Sequence, residues 1–327
     1  MVLYILKRTL SAITVIFMTL LVSFFLFFAA KGDPVGVVCG PKCTPERAAT
    51  IAHGLGLDRP VLTQFAEYAK GIVVGRQISL GDVTIDCPAP CLGTSYKLGQ
   101  PVTKLIVQGL PVTLSIVLGS AAIYLLVGVV AGVFTARRRG TSLDRAVVGT
   151  TLIMGAVPYF VLALIIVLYV AGVFLPSSTY VPITENPIAW AGGLLAAWVT
   201  LGLVNSAAYT RYSRASMIEA LGEDFVRTAR AKGIGEGRVI YRHALRSALG
   251  PVTTIFGMDL AGQLTGAIFT ERIFGLPGLG YVTLNAFGNY DLPVIMGSIL
   301  FGAALLVSFN FIVDILYTVL DPRVRLG

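Results

Sequence analysis

Six apolar runs, each about long enough to cross a bilayer when wound into a helix, constrain this chain more tightly than any other feature. A crossing helix needs about 20 consecutive apolar residues, because no water in the hydrocarbon can satisfy an unpaired backbone N–H or C=O. Residues 10–30, 105–136, 146–175, 188–209, 252–270 and 294–320 meet that need. Composition agrees: of 327 residues, 55% are hydrophobic and 13% charged, which excludes an ordinary soluble domain. The first run follows Lys7 and Arg8 and exceeds the apolar stretch of a signal peptide. Bulky Phe28 stands where cleavage would need a small residue, so the run is expected to stay as an anchor. Pro111 and Pro158 fall inside the second and third runs, where neighbouring helices can satisfy a freed carbonyl. The fold expected is all-α and polytopic, with six transmembrane helices: helix 1 and the N-terminus over 1–30, a polar region over 31–103, and helices 2 to 6 over 104–327.

Topology follows from where the cations stand. The net charge is +8, but the basic residues flank apolar spans and form no long tract or aromatic-interleaved face, so no nucleic-acid partner is expected. With both termini inside, the inner segments hold Lys7, Arg8, Arg137, Arg138, Arg139, Arg145, Arg211, Arg214, Arg227, Arg230, Lys232, Arg238, Arg242, Arg246, Arg323 and Arg325, which is 16 of the 25 Lys and Arg. The two short outer loops hold Arg272 alone. The positive-inside rule then puts the termini and a 211–250 loop in the cytoplasm, and the 31–103 region outside.

That outer region reads as helical. Thr44 before Pro45 starts one helix that Gly54 ends, and 60–74 carries Val61, Leu62, Phe65, Tyr68, Ala69 and Ile72 at helical spacing. Cys39 and Cys43 in CGPKC, and Cys87 and Cys91 in CPAPC, lie in the same region. A four-thiolate zinc site would want two residues rather than three between paired ligands, and no histidine joins the set. An oxidising compartment favours disulfides, with three connectivities open.

Residues 223–251 form a basic, helix-prone segment between two apolar runs. Glu223 and Asp224 suit a positive helix N-terminus, good helix formers continue to Lys232, and Gly233, Gly235 and Gly237 break the pattern. A second helix is expected over 238–249, with Pro251 where the next span begins. On that fifth span Asp259, Gln263, Gly266 and Thr270 recur at i, i+4, i+7 and i+11, one helical face that should line a translocation pathway or meet a partner subunit rather than lipid. Asp314 lies nearer the inner end of the sixth span and reads as structural. There is no phosphate-binding G-x-x-x-x-G-K-[ST] loop, so ATP is not expected to bind this chain. His53 and His243 stand alone, the spans hold no histidine, and no catalytic residue, metal or cofactor is expected.

RTARAKG (227–233), followed by Pro251, resembles the cytoplasmic EAA loop of bacterial ABC importer permeases, in the form found in the oligopeptide/dipeptide/nickel branch. Ala229 and Gly233 match the general motif. Arg227 stands where it has glutamate and Arg246 where it often has proline. YILKR near the start, LGLDRPVLTQF (55–65), LGTSY (92–96), FGLPGLG (274–280) and Asp321, Pro322 and Arg323 are similar to the same family, so the resemblance covers nearly the whole chain.

The resemblance implies a type I ABC importer permease fold with an extracytoplasmic insertion after helix 1, multi-pass in the bacterial inner membrane. It implies that Glu223, Asp224, Phe225, Arg227, Thr228, Ala229, Arg230, Ala231, Lys232 and Gly233 form a coupling helix docking on an ATPase. The expected partners are a second homologous permease subunit, two ATPase domains that bind ATP and magnesium, an extracytoplasmic binding protein, a peptide cargo and the lipid bilayer. A secondary transporter or channel working without an ATPase is the alternative, and an enzyme scaffold a third reading. The sequence shows neither the internal repeat expected of an ion-coupled carrier nor an intramembrane nucleophile and base.

Overall fold

The computed structural model describes residues 2–29, 34–40, 43–80 and 83–320, with the backbone alone at 2–5, 28–29, 80, 261, 265–266 and 312–320. Helix α1 (Val2–Ala29) leads to α2 (Pro34–Cys39), α3 (Pro45–Gly54) and α4 (Val61–Val74). Helix α3 begins as expected: the Thr44 side chain accepts from the Arg47 N–H at 3.3 Å, and Pro45 supplies the preset φ of a first turn.

A hairpin then corrects the all-α expectation. Strands β1 (Arg76–Leu80) and β2 (Val83–Cys87) pair antiparallel, Ile78 opposite Ile85. Their apolar residues alternate with polar ones, which is strand period, and Ile78 and Cys87 bury together with Cys91. The sulfurs pair within each motif, Cys39–Cys43 and Cys87–Cys91, which settles the connectivity and leaves no thiolate for zinc.

Helices α5 (Val102–Arg137), α6 (Ser142–Ala156), α7 (Tyr159–Tyr169) and α8 (Pro187–Gly222) follow. Two of these have 36 residues, about 54 Å at 1.5 Å per residue, well beyond a hydrocarbon core of about 30 Å. The fourth apolar run, expected over 188–209, is the first part of a helix that continues past Arg211 and Arg214 to Gly222. Helices α5 and α8 make the most extensive pairing in the bundle. Small residues allow it: a Cβ on Gly128 would come 2.5 Å from the Tyr209 Cβ, and one on Gly132 would come 2.6 Å from the Ser213 Cβ.

The third run is not one straight helix. Helix α6 starts at Ser142 behind a Thr141 cap, and α7 leaves it at 91° across Val157 and Pro158, because proline disfavours helix at the residue before it.

Helix α9 (Asp224–Ala231) and α10 (Glu236–Arg238) lead through a π-helical stretch, Val239–Ala244, into α11 (Leu245–Gly266). No boundary falls at Pro251, which sits inside α11, so the expected separation of a 238–249 helix from a span starting at 252 is corrected. Helices α12 (Ile268–Phe274), α13 (Leu279–Gly288) and α14 (Leu292–Leu320) complete the described residues, with α14 packed against α1 and α11. Among the described residues four helices are long and apolar enough to cross a membrane, and up to six spans result if each of two bent pairs counts as one: α6 with α7, and the α10–α11 run with α12 at 54°. Asp321, Pro322 and Arg323 lie outside the described residues.

Candidate functional site

The segment 223–233 folds as a short helix on a platform. Val226 and Ala229, three apart on one face of α9, are buried against Val133 and Ala136 of α5, Met217 and Ala220 of α8, and Val239 and Ala244 of the π-helical stretch. Burying Val226 alone contributes about 1.5–3 kcal/mol. The other nine candidate coupling residues, Glu223, Asp224, Phe225, Arg227, Thr228, Arg230, Ala231, Lys232 and Gly233, are all exposed, and Ala229 proves to be an anchor rather than a contact. Val226, absent from the candidate set, is the second anchor; its three-residue spacing from Ala229 was the available signal.

The helix ends in a Schellman turn. The Gly233 N–H donates to the Arg230 carbonyl at 2.9 Å and the Ile234 N–H to the Ala229 carbonyl at 3.3 Å, while Ile234 packs on the cluster beneath. Gly233 holds φ +74°, and no atom lies within 4 Å of where its Cβ would be. Arg230 crosses the turn to Glu236 through two bonds, 3.2 and 2.8 Å, and Thr228 Oγ1 returns a bond to the Asp224 carbonyl at 2.9 Å. One face is thus fixed to the bundle, and the opposite face offers an aromatic ring and three cations to whatever approaches.

Beside this platform, Arg214 of α8 grips Asp144 at the start of α6 through two bonds, Nε at 2.7 Å and Nη2 at 2.8 Å, and the Gly140 N–H donates to the same carboxylate at 2.9 Å. The planar fork explains arginine here.

The four-residue stripe of the fifth span does not survive as one face. Helix α11 ends at Gly266, so Thr270 belongs to α12, where it is buried and hydrogen-bonded to the Tyr159 hydroxyl at 2.7 Å. The surroundings of Gly266 and the side chain of Asp314 lie outside the described residues. Asp259 accepts a hydrogen bond from the Tyr209 hydroxyl of its own chain at 2.9 Å. Tyr209 stacks on Tyr124 at 4.6 Å, and Gln263 reaches the Tyr124 hydroxyl at 3.5 Å, its own Oε1 buried and without a partner among the described residues. Asp259 and Gln263, both half-buried, therefore share a polar seam with two tyrosines from α5 and α8. Neither tyrosine was among the candidates, since each lies on a different helix from the carboxylate.

Two buried carboxylates organise the far end of the bundle. Glu271, fully buried, accepts from Thr113 Oγ1 at 2.6 Å and the Tyr281 N–H at 2.9 Å, while Thr113 itself accepts from the Leu279 N–H at 2.9 Å. This ties FGLPGLG to α5. Asp291 accepts from the Ser95 hydroxyl and from the N–H groups of Tyr96 and Lys97 at 3.0 and 3.3 Å, so LGTSY is fastened to the start of α14. Burial first, then the Asp291 charge, pushes the Tyr96 phenol above its ordinary range. On the surface, the hydrogen bond from His53 at 2.8 Å holds the Asp58 carboxyl below its ordinary range.

Residues 128–326 match the family described as binding-protein-dependent transport system inner membrane component, and residues 1–117 match the N-terminal family of the same systems. A putative peptide transport system permease protein of Brucella abortus is 36% identical over 323 residues, 98% of each chain. The oligopeptide transport system permease protein AppB of Bacillus subtilis is 33% identical, covering 98% of this chain and 99% of its own. The dipeptide transport system permease protein DppB of Escherichia coli is 33% identical over 93% of each.

Proposed function

Because the chain belongs to the family of inner membrane components of binding-protein-dependent transport systems, we propose that it is one of two permease subunits of an ATP-driven peptide importer. The observation that carries the coupling role is α9: a short helix anchored by Val226 and Ala229, with nine exposed coupling residues turned outward. In this reading the ATP-hydrolysing subunits are separate proteins, and one of them receives that face. A push on α9 passes directly into α5, α8 and the π-helical start of α11, whose side chains form its platform. These helices also carry Tyr124, Tyr209 and Asp259, so the seam lining the pathway and the docking helix belong to the same rods.

We place the α9 end in the cytoplasm and the cysteine-bearing end outside, with six spans made by counting each bent pair as one, a type I arrangement and the 31–103 region as the outer insertion. Positive-inside counting supports this orientation, and stable disulfides suit the outer side. The chain itself needs no cofactor in this reading; ATP and magnesium belong to the ATPases, and a binding protein delivers the peptide. The test is reconstitution with candidate ATPase and partner subunits. Peptide uptake that requires ATP and the ATPase subunits supports the proposal. Uptake by the chain alone along an ion gradient would replace it with a secondary transporter.

A further inference from the structure

Helix α4 divides its circumference into three sectors. Phe65, Tyr68 and Ile72, spaced three and four apart, face the core. Phe65 lies against Phe17 of α1 at 6.3 Å and against Phe24 and Phe25 at 5.4 and 6.0 Å. Phe17 stands near the middle of the apolar span Leu6–Phe27, so this face meets α1 about 5–15 Å inside the end of that span. Leu62, Ala66 and Val73 make a second line along α4 and are exposed, Leu62 at 73% and Val73 at 76%. The third sector is polar and carries Gln64, Glu67 and Lys70.

That polar sector borders a cavity of about 600 Å³ between the end of α1, α4, the start of β1 and the start of α14. Arg76 lies across α4 at Gly71, where an added Cβ would come 2.8 Å from its Cδ, and its guanidinium covers the Tyr68 ring at 5.2 Å. Its Nε is buried without a hydrogen-bond partner among the described residues. Arg59 is neutralised by Glu67, whereas Lys70 opens into the same cavity with no ion pair among the described residues. An exposed apolar flank, on a helix whose core face meets α1 within its apolar span, thus adjoins a pocket holding two cations without an ion pair among the described residues.

We propose that α4 lies in the membrane–water boundary, with Leu62, Ala66 and Val73 among acyl chains, and that Arg76 and Lys70 hold the phosphate of an anionic phospholipid whose headgroup enters the cavity. A helix with one apolar stripe and basic flanks takes this position, its apolar face sunk about 5–10 Å below the headgroups. Which leaflet it occupies rests on the orientation proposed above: with the cysteines outside, it is the outer one. The region between α1 and α5 is then partly a membrane-seated collar.

Among the described residues no cysteine is free, so a single added thiol can carry a nitroxide. The full chain, assembled with its partner subunits in nanodiscs, would be labelled at Leu62→Cys, Val73→Cys or Glu67→Cys. The first two labels should be relaxed by dissolved oxygen more than by a water-soluble nickel chelate, and the third the reverse. Nickel access at Leu62 and Val73 equal to that at Glu67 overturns the seating. Exclusion of both reagents also overturns it, since a protein partner would then cover the stripe.

For the headgroup, native mass spectrometry should find bound phosphatidylglycerol, with affinity falling roughly thirtyfold in the Lys70→Gln, Arg76→Gln double variant and phosphatidylcholine binding unchanged. Unchanged phosphatidylglycerol binding, or displacement of the lipid by millimolar inorganic phosphate alone, removes the lipid assignment. ATP-driven uptake, measured after the same labelled complexes are moved into sealed proteoliposomes, separates the outcomes. Preparations that transport but fail the label test sink the collar and leave the permease reading standing.

Discussion

Replacing Gly233 tests how α9 is held in shape. The backbone there sits at φ +74°, and an L side chain in the left-handed region costs about 1–2 kcal/mol. Nothing within 4 Å obstructs a Cβ, so the cost in the free chain is conformational rather than steric. The closed-to-open ratio of the Schellman turn that carries the Gly233 and Ile234 hydrogen bonds would then fall about five- to thirtyfold, because 1.4 kcal/mol is a factor of ten. If the ATPase docks only on the closed turn, and this exposed turn is open much of the time in the free chain, the apparent affinity falls by a comparable factor. Gly233→Val should therefore weaken binding of the purified ATPase to the reconstituted permease pair by about five- to thirtyfold. Excess ATPase should restore uptake, and Gly233→Asn should stay near wild type because asparagine visits the left-handed region readily. Equal damage from Asn and Val would refute the strain account and indicate that the docked partner fills the space. Wild-type affinity in Gly233→Val would refute any need for the turn.

Glu271→Ala should cost about 2–6 kcal/mol, because Thr113 and the Tyr281 N–H lose a buried acceptor, with Glu271→Gln milder; thermal unfolding in detergent reads both. Gly278→Ala should be comparably harmful, since its Cβ would come 2.3 Å from the Glu271 carboxyl carbon, and unchanged melting in these variants would remove the node. Limited reduction followed by thiol labelling and peptide mapping should open Cys39–Cys43 before Cys87–Cys91, because Cys43 is exposed whereas both sulfurs of the second pair sit on buried residues. Four reactive thiols before any reductant is added would contradict the oxidised state altogether. Asp259→Asn should impair uptake with assembly intact, and a stability cycle with Tyr209→Phe should show coupling of about 1.5–3 kcal/mol; additivity within about 0.5 kcal/mol would dismiss the bond.

What could be read from the chain was what local chemistry decides. Span hydropathy, the Thr44–Pro45 start of α3 and the glycine stop after Lys232 each depend on neighbours within a few residues, and each stands in the structure. The errors arose where a longer-range effect outweighed the local signal. Arg211 and Arg214 mark where apolar surface ends but not where a helix ends, and α8 continues because its next turns pack on α6 and the α9 platform. Pro251 looked like a boundary, yet α11 runs through it, as a membrane helix can where neighbouring helices satisfy the carbonyl freed by the missing N–H. The hairpin was hidden because five-residue strands carry a weak periodic signal. The Asp259 partner lies 50 residues away on another helix, and only helix packing discloses it. One legible clue went unread: Gly128 and Gly132, four apart on a membrane helix, announce the close contact of α5 with α8.

In the proposed complex the outer face of α9 meets an ATPase. A photo-crosslinking amino acid at Phe225, 43% exposed on that face, measures it in the assembled, transporting complex, with the same group at Leu168 of α7, 67% exposed and on a different helix, as the control. The account predicts a covalent adduct between position 225 and the ATP-hydrolysing subunit, and none from position 168. Lipid adducts alone from position 225, in a preparation that imports peptide at the wild-type rate, would contradict it.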